Sequence, residues 1–538
     1  MKTLLHNNLI TISITLISAL YVFFCITLLG ESVYFWTPDS ASYIEAARNF
    51  SSMGKLVIST ALNAEMDLQP LKLWPPGYPL ILSVTQDILG VDSQWLIVHI
   101  SIFSWVIVPT LIFVLVRPLL GVSLSAALSI AILTSPAFLD WGWKGLSDLP
   151  FLFVVVLGLL LSSNLSSGWK PIISIFIGGI LLGISFSIRN IGVAALIAVF
   201  ISYVITFFAR QEQRREIFLK IVVWSTGASI IVLPVFIRNI MVFGTLQPYS
   251  MQASTVSLLT NIRVNTKSIM LDLFGSQNLA EIIAWDFLVF ASCALVFTGL
   301  SAYYAYRHSS QIKENGRILA GELICFSQSM FVFFSLFIYA LLSIAIVIYA
   351  RTKYEWGEPI NLRHVLQYNW AIIAIVLFLL LRLIKSYHAK NIAYALLALM
   401  IFGHIVYLSK NYYLNEPSSK ERLLLKYNTY IDADLKNEII NISHNGGVIA
   451  SNHSDVLRIT SGVPIRSLSV NSEQLERSIK NQLLAFKEML IKTQKKGFVF
   501  IFLEENSLEE FIAEEPQLSE IIIERRTESL IVFYLFPR

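Results

Sequence analysis

LITISITLISALYVFFCITLLGESVYFWTPDSASY, residues 9–43, holds the pattern that decides the fold. Leu9 to Gly30 carries no charge and is long enough to cross the hydrocarbon core of a bilayer as a helix, which takes about 20 residues. The run exceeds a signal-peptide core and ends without a small-x-small cleavage pattern. It therefore predicts an uncleaved signal anchor, with Lys2 and His6 on the cytoplasmic side. Directly after it stand Glu31, an aromatic cluster and Trp36-Thr37-Pro38-Asp39, so a carboxylate follows the span at the outer boundary of the membrane.

The same apolar signature recurs along most of the 538 residues. Spans are predicted near 9–29, 95–116, 119–138, 149–163, 171–188, 192–209, 221–238, 284–304, 328–349, 368–386 and 391–408, about eleven in all. Composition agrees: 55% of residues are hydrophobic, 14% are charged, and the mean hydropathy is +0.65. Soluble domains carry roughly 25% charged residues, so this chain cannot cover a water-exposed surface of its size. The net charge of +4 is small and scattered, which argues against a nucleic-acid partner. Three cysteines in apolar stretches and eight histidines without paired spacing give neither a disulfide framework nor a zinc motif.

Alternating the spans places Arg117, Lys170, Arg210, Arg214, Arg215, Lys220, Arg307, Lys313, Arg317, Lys385 and Lys390 on the side of Lys2. The positive-inside rule makes that side cytoplasmic. The opposite, extracytoplasmic side receives loops 31–94, 141–148, 238–281 and 351–364, and the C-terminal segment. In the first loop, Asp39 to Phe50 is amphipathic, with Tyr43, Ala47 and Phe50 on one face. Trp74-Pro75-Pro76-Gly77-Tyr78-Pro79 follows, too rich in proline to open an ordinary span. That segment is expected to lie in or dip into the outer interface. Two domains are expected: a transmembrane domain over 1–408 and a small extracytoplasmic α/β domain over 409–538. In the latter, Asn445-Gly446-Gly447 predicts a turn into a strand at Val448-Ile449-Ala450, and Ser472 opens an amphipathic helix. Phe498 to Leu503 reads as a central strand, and Ile521-Ile522-Ile523 with Leu530 to Phe533 as a hairpin.

Polar residues at the outer span ends are the candidates for chemistry. Thr37 or Asp39 is expected to cap the following helix, with Pro38 in its first turn, and Asp39 reads alternatively as a carboxylate near a low dielectric that serves as general base; the roles are compatible. Asp148, in Ser147-Asp148-Leu149-Pro150, has the same two readings, cap or ligand-binding carboxylate. Arg189 and Arg238, each followed by Asn, stand where a basic side chain either snorkels to the interface or meets a ligand. Arg363-His364 closes an outer loop just before a span, where a guanidinium can hold a phosphate bidentately or anchor the interface.

These features together resemble the GT-C membrane glycosyltransferases. The resemblance is carried by Asp39 with Tyr43, Ala46-Ala47-Arg48-Asn49, Pro75-Pro76-Gly77-Tyr78-Pro79-Leu80, Ser147-Asp148-Leu149-Pro150, Arg238-Asn239 with Phe243-Gly244, and Arg363-His364-Val365-Leu366. Ala450-Ser451-Asn452 through Ser461-Gly462-Val463-Pro464 is similar to the tail domain of such enzymes. Within the class the chain is most similar to the bacterial family 39-like group, with relatives of protein O-mannosyltransferases and lipid A aminoarabinose transferases. The resemblance implies a polytopic helical protein of the inner membrane that moves a sugar from a polyprenyl-phosphate donor to a lipid, glycan or protein acceptor outside the cytoplasm. It implies Asp39 as the catalytic residue, and Arg363 as the group facing the donor phosphate. Tyr43, Asp148, His364, Arg189 and Arg238 are further substrate-binding candidates. Gln367 departs from the pattern, since many relatives have Pro there. Metal dependence varies within the class, so a divalent metal stays open although no ligand set is visible. The competing reading is a transporter or flippase of lipid-linked saccharide, which internal repeats and polar residues at mid-membrane would favour. An assembly or receptor protein, binding through its tail domain, is a third. No repeat is evident, and the polar signals gather at one face.

Overall fold

The computed structural model describes residues 2–29, 37–59, 68–210, 213–248, 253–278, 280–281, 320–354, 359–383, 387–414, 433–451, 454–463, 465–467, 486, 496–502, 522–527 and 530–535. The predicted span at 284–304 and most of the predicted helix from Ser472 lie outside these residues. The chain divides into two compact units. One comprises 1–33, 72–78 and 98–417, and the other 34–71, 79–97 and 418–538, so segments between 34 and 97 group with the C-terminal segment.

The first unit is helical. Its elements are α1 (Lys2–Leu29), and then, after α2 (Pro38–Met53) of the other unit and the shared α3 (Gly77–Leu89), α4 (Ser93–Leu133), α5 (Pro136–Trp141), α6 (Asp148–Ser162), α7 (Trp169–Ile188), α8 (Val193–Ala209) and α9 (Arg214–Phe243). They are followed by α10 (Leu258–Phe274), α11 (Ala320–Lys353), α12 (Leu362–Val365), α13 (Asn369–Leu383) and α14 (Tyr387–Leu408). Among the described residues seven helices are long and apolar enough to cross a membrane, and α6 and α13 contain shorter apolar stretches. The two spans predicted at 95–116 and 119–138 form one run, α4, interrupted at Gly121. There φ of 75° and ψ of 176° break the helix just after Pro118, a conformation that glycine adopts without a Cβ penalty. The segment 238–281, predicted as a loop, contains α10.

In a lipid environment helices associate through close packing, and small residues allow it. A Cβ at Gly178 of α7 would meet the Ser162 hydroxyl of α6 at 2.5 Å. One at Gly179 would collide with the Trp224 carbonyl of α9. Buried polar links add specificity. The Asp272 carboxylate on α10 accepts from the Ala137 amide at 2.8 Å and from Asn369 Nδ2 at 2.6 Å, tying together α5, α10 and α13.

The second unit contains α2, the short antiparallel pair β1 (Val57–Ser59) and β2 (Leu68–Pro70), and an α/β fold at the C-terminal end. That fold has α15 (Ala433–His444), β3 (Val448–Ser451), α16 (Ser454–Ser461), β4 (Arg466–Ser467), β5 (Gly497–Phe502), β6 (Ile522–Thr527) and β7 (Leu530–Leu535). Strand order is β4-β3-β5-β7-β6, with β3 parallel to β4 and β5, and β7 antiparallel to β5 and β6. Gly446, with φ of 74°, makes the turn into β3, a strand buried throughout as central parallel strands are. Leu435, Ile439, Ile449, Leu457, Ile465 and Phe500 form the core.

Candidate functional site

Asp148 begins α6 and its side chain is 1% exposed. Ser147 occupies the cap position without a side-chain cap bond, and the Asp148 carboxylate turns to cations instead. Oδ2 accepts from Arg363 Nε at 2.9 Å, and Oδ1 accepts from Arg189 Nη1 and, at 3.4 Å, from Gln367 Nε2. A buried ion survives only when paired and hydrogen-bonded, and these three donors meet that condition.

Each partner reaches Asp148 for a local reason. Arg189 adopts extended backbone, φ −148° and ψ 134°, where α7 stops and a 3-10 turn at Asn190–Gly192 begins. A residue at such a break can point inward, whereas on a continuous lipid-facing helix it would snorkel. Arg363 rides on the single turn α12, whose N-cap Asn361 accepts from the Arg363 amide at 3.1 Å. The Arg363 guanidinium also lies 5.7 Å from the centroid of the Trp141 ring, and Lys144 Nζ lies 4.1 Å from the same centroid. Trp141 thus attracts two cations by its π face.

His364 does another job. Its Nε2 faces Arg351 Nη2 and its Nδ1 lies 2.9 Å from Asn361 Oδ1. Burial holds the imidazole well below its usual value of 6.5, and Arg351, Arg363 and Arg189 press the same way. It stays neutral at physiological pH, with Nε2 facing the Arg351 guanidinium and Nδ1 packed against the amide and side chain of Asn361. Arg189 and Arg363 thus meet at the Asp148 carboxylate, Arg351 meets the His364 imidazole, and Lys144 lies over the Trp141 ring.

The remaining predicted residues make other contacts. Arg238 stacks near Phe243 at 5.3 Å and donates to Asn239 Oδ1 at 3.2 Å, at the end of α9, and is not among the partners of Asp148. Asp39 and Tyr43 belong to the second unit. Thr37, not Asp39, caps α2: its hydroxyl accepts from the Ser40 amide at 3.2 Å, and Ser40 Oγ accepts from the Thr37 amide at 3.0 Å. Asp39 sits in the first helical turn, and Tyr43 is buried.

Among the described residues no group of three or more His, Cys, Asp or Glu side chains converges to hold a metal ion. Asp148 is unsuited to one, because both of its oxygens already face guanidinium groups. A divalent cation placed there would be repelled by Arg189 and Arg363.

Residues 74–241 match a family model described as dolichyl-phosphate-mannose-protein mannosyltransferase. A comparison with curated proteins found no match. Among solved structures, the chain is similar to the oligosaccharyltransferase of Archaeoglobus fulgidus in complex with Zn and sulfate, at 13% identity and a TM-score of 0.50, over 97% of this chain and 73% of that one. The chain has the fold of the GT-C membrane glycosyltransferases. ArnT from Cupriavidus metallidurans bound to undecaprenyl phosphate is a further match, at 14% identity and a TM-score of 0.48, over 96% of this chain and 97% of that one.

On this GT-C frame the sequence reading missed the parts played by Gln367, Trp141, Lys144 and Arg351. Gln367, the departure from the family pattern, serves the site through its amide. Its side chain donates to Asp148, and its carbonyl accepts from Tyr339 Oη at 2.8 Å and from Trp370 Nε1 at 2.9 Å. Its Oε1 is buried without a hydrogen-bond partner among the described residues, an acceptor that a ligand hydroxyl can satisfy. The one available signal was a polar amide at the start of an apolar helix, where a proline offers neither donor nor second acceptor.

Proposed function

We propose that this chain transfers a sugar from a polyprenyl-phosphate-linked donor to a lipid, glycan or protein acceptor on the extracytoplasmic face of the inner membrane. The observation that carries this reading is the convergence of two guanidinium groups, Arg189 and Arg363, on the buried start of α6. Both are largely shielded from water and both bond the Asp148 carboxylate. Guanidinium groups in that state bind a phosphate through charge-assisted, bidentate hydrogen bonds, and stabilise the charge it gains as a leaving group. In the transfer, the acceptor oxygen bonds to the anomeric carbon while the bond from that carbon to the phosphate oxygen breaks. The electron pair stays on the phosphate, and the acceptor proton passes to the Asp39 carboxylate. Lys144, Trp141 and Gln367 are assigned to the sugar and phosphate of the donor. The N-terminus is assigned to the cytoplasm and the C-terminal domain to the outside.

The test is transfer from a labelled polyprenyl-phosphate sugar in proteoliposomes, with donor binding measured in parallel. The expected result is a new glycoside, and a loss of turnover by about 10²–10⁴-fold in Asp39→Asn with donor binding retained. Because Thr37 provides the cap, Asp39→Asn should fold normally. Donor that crosses the bilayer unchanged, with no glycoside formed, would assign the chain to transport instead.

A further inference from the structure

Helix α2 carries Asp39 in its first turn, and its far half is clamped by residues distant in the sequence. Arg48 donates from Nη2 to Asp92 Oδ1 at 2.8 Å and from Nε to Asp92 Oδ2 at 3.2 Å. Its Nη1 donates to the carbonyl oxygen of Ile459 at 3.0 Å. That carbonyl belongs to the last turn of α16, where helical carbonyls lack internal partners and the helix dipole is negative. A guanidinium satisfies both needs. In return Arg458 of α16 donates from Nη1 to Glu45 Oε2 of α2 at 3.1 Å, with side chains only 10% and 15% exposed. Asn49 Nδ2 donates to the Val57 carbonyl at 2.8 Å and fixes the end of α2 to β1.

The geometry of α16 shows which way the constraint runs. Leu457 is buried in the sheet core with Ile449 and Phe500, while the neighbouring Arg458 faces α2. The helix is thus anchored on one side and presents a charged handle on the other. Glu45 and Arg48 lie six and nine residues along α2 from Asp39, about 9 and 13 Å at a rise of about 1.5 Å per residue. Two links at that distance set the direction of a short rigid rod, and so the place of its first turn.

We propose that Glu45, Arg48 and Arg458 are positioning residues for the transfer reaction, through which the C-terminal α/β fold sets where Asp39 stands. The proposal rests on the assignment of Asp39 as general base. A misplacement of about 1 Å at a reacting group can cost about 10²-fold in rate, so the clamp should act on kcat and leave donor KM alone.

The experiment uses the full-length protein in proteoliposomes, with Arg458→Glu, Glu45→Arg and the exchanged pair E45R/R458E. Folding is followed by size-exclusion chromatography and thermal unfolding. Each single change should lower kcat by about tenfold or more with donor KM within about threefold, and the exchanged pair should recover to within about threefold of the native kcat. Combining Asp39→Asn with Arg458→Glu should be no slower than Asp39→Asn alone, since a base already removed cannot be misplaced. If Arg458→Glu fails to fold, Glu45→Gln and the exchanged pair are read by the same criteria. An unchanged kcat, a parallel change in kcat and donor KM, or an exchanged pair as slow as the single variants overturns the proposal. Full turnover in Asp39→Asn, with Arg458→Glu slow and the exchanged pair fast, keeps the clamp and removes only the assignment of Asp39.

Discussion

Two ionic clusters in this protein differ in how their charges meet. Around α2 the charges are matched in pairs: Arg48 meets Asp92, and Arg458 meets Glu45. Around Asp148 two guanidiniums converge on a carboxylate that is 1% exposed. A balanced pair that reaches water, as Arg48 and Asp92 do, contributes modestly to stability and chiefly fixes register. Guanidiniums drawn to one buried carboxylate repel one another, and an anionic ligand would relieve that repulsion. The paired charges at α2 therefore belong to architecture, and the convergence at Asp148 is the proposed binding site.

The sharpest way to break this contrast is to remove the carboxylate on each side. Asp148→Asn removes the buried carboxylate that both Arg189 and Arg363 bond and should destabilise the protein by about 3–5 kcal/mol. Asp92→Asn, whose carboxylate is 39% exposed, should cost no more than about 1 kcal/mol. Thermal unfolding in detergent measures both. Adding polyprenyl phosphate should raise the midpoint of Asp148→Asn more than that of the native protein, since the ligand replaces the lost charge. Equal losses in the two variants would erase the distinction between the clusters.

Arg363 and Arg238 offer a second comparison. Arg363→Ala should weaken donor binding by about 2 kcal/mol or more, because the interaction it loses is desolvated. Arg363→Lys should recover only part of this, since an ammonium lacks the planar fork. Arg238→Ala, which removes contacts to Asn239 and Phe243, should bind donor as the native protein does. Titration with a polyprenyl phosphate decides it, and comparable losses for both arginines would move the phosphate site towards α9.

The smallest effect concerns His364. Its folded value lies well below 6.5, so below that pH the unfolded chain binds a proton that the folded chain refuses. The stability due to the neutral imidazole is present above pH 6.5 and is lost as pH falls beneath it, by at most about 1.4 kcal/mol per pH unit. The unfolding midpoints of the native protein and His364→Asn should therefore converge as pH drops from about 7 to about 5. A constant difference across that range would mean that His364 takes up its proton equally in the folded and unfolded states.

Much of the membrane architecture was legible because burial in lipid imposes a long uncharged run on each span, and such runs stand out locally. The strand at Val448 and its preceding glycine turn were legible for a similar reason, a local pattern with a local cause. The pair β1 and β2 was not, since three residues per strand give no periodicity to detect. At the site, Asp148, Arg189 and Arg363 could be singled out one at a time as charges at the ends of apolar runs. Their convergence could not be read, for the bonds join positions 41 and 215 residues apart. Gln367 was visible only as a deviation from a family pattern, and its contacts give that deviation a purpose.

The sequence by itself determined that the chain lives in a membrane, where most of the described apolar helices lie, and which polar residues stand at their ends. These follow from transfer free energies that act on each segment separately. Tertiary structure alone decided that Thr37 caps α2 and frees Asp39 from that duty, that His364 is neutral and serves Arg351, and that Arg189 joins Arg363 while Arg238 does not. It also decided that α16 grips the helix of Asp39. Ion pairs and shared hydrogen bonds depend on distances in space, and in a helical bundle those distances are set by which faces pack together.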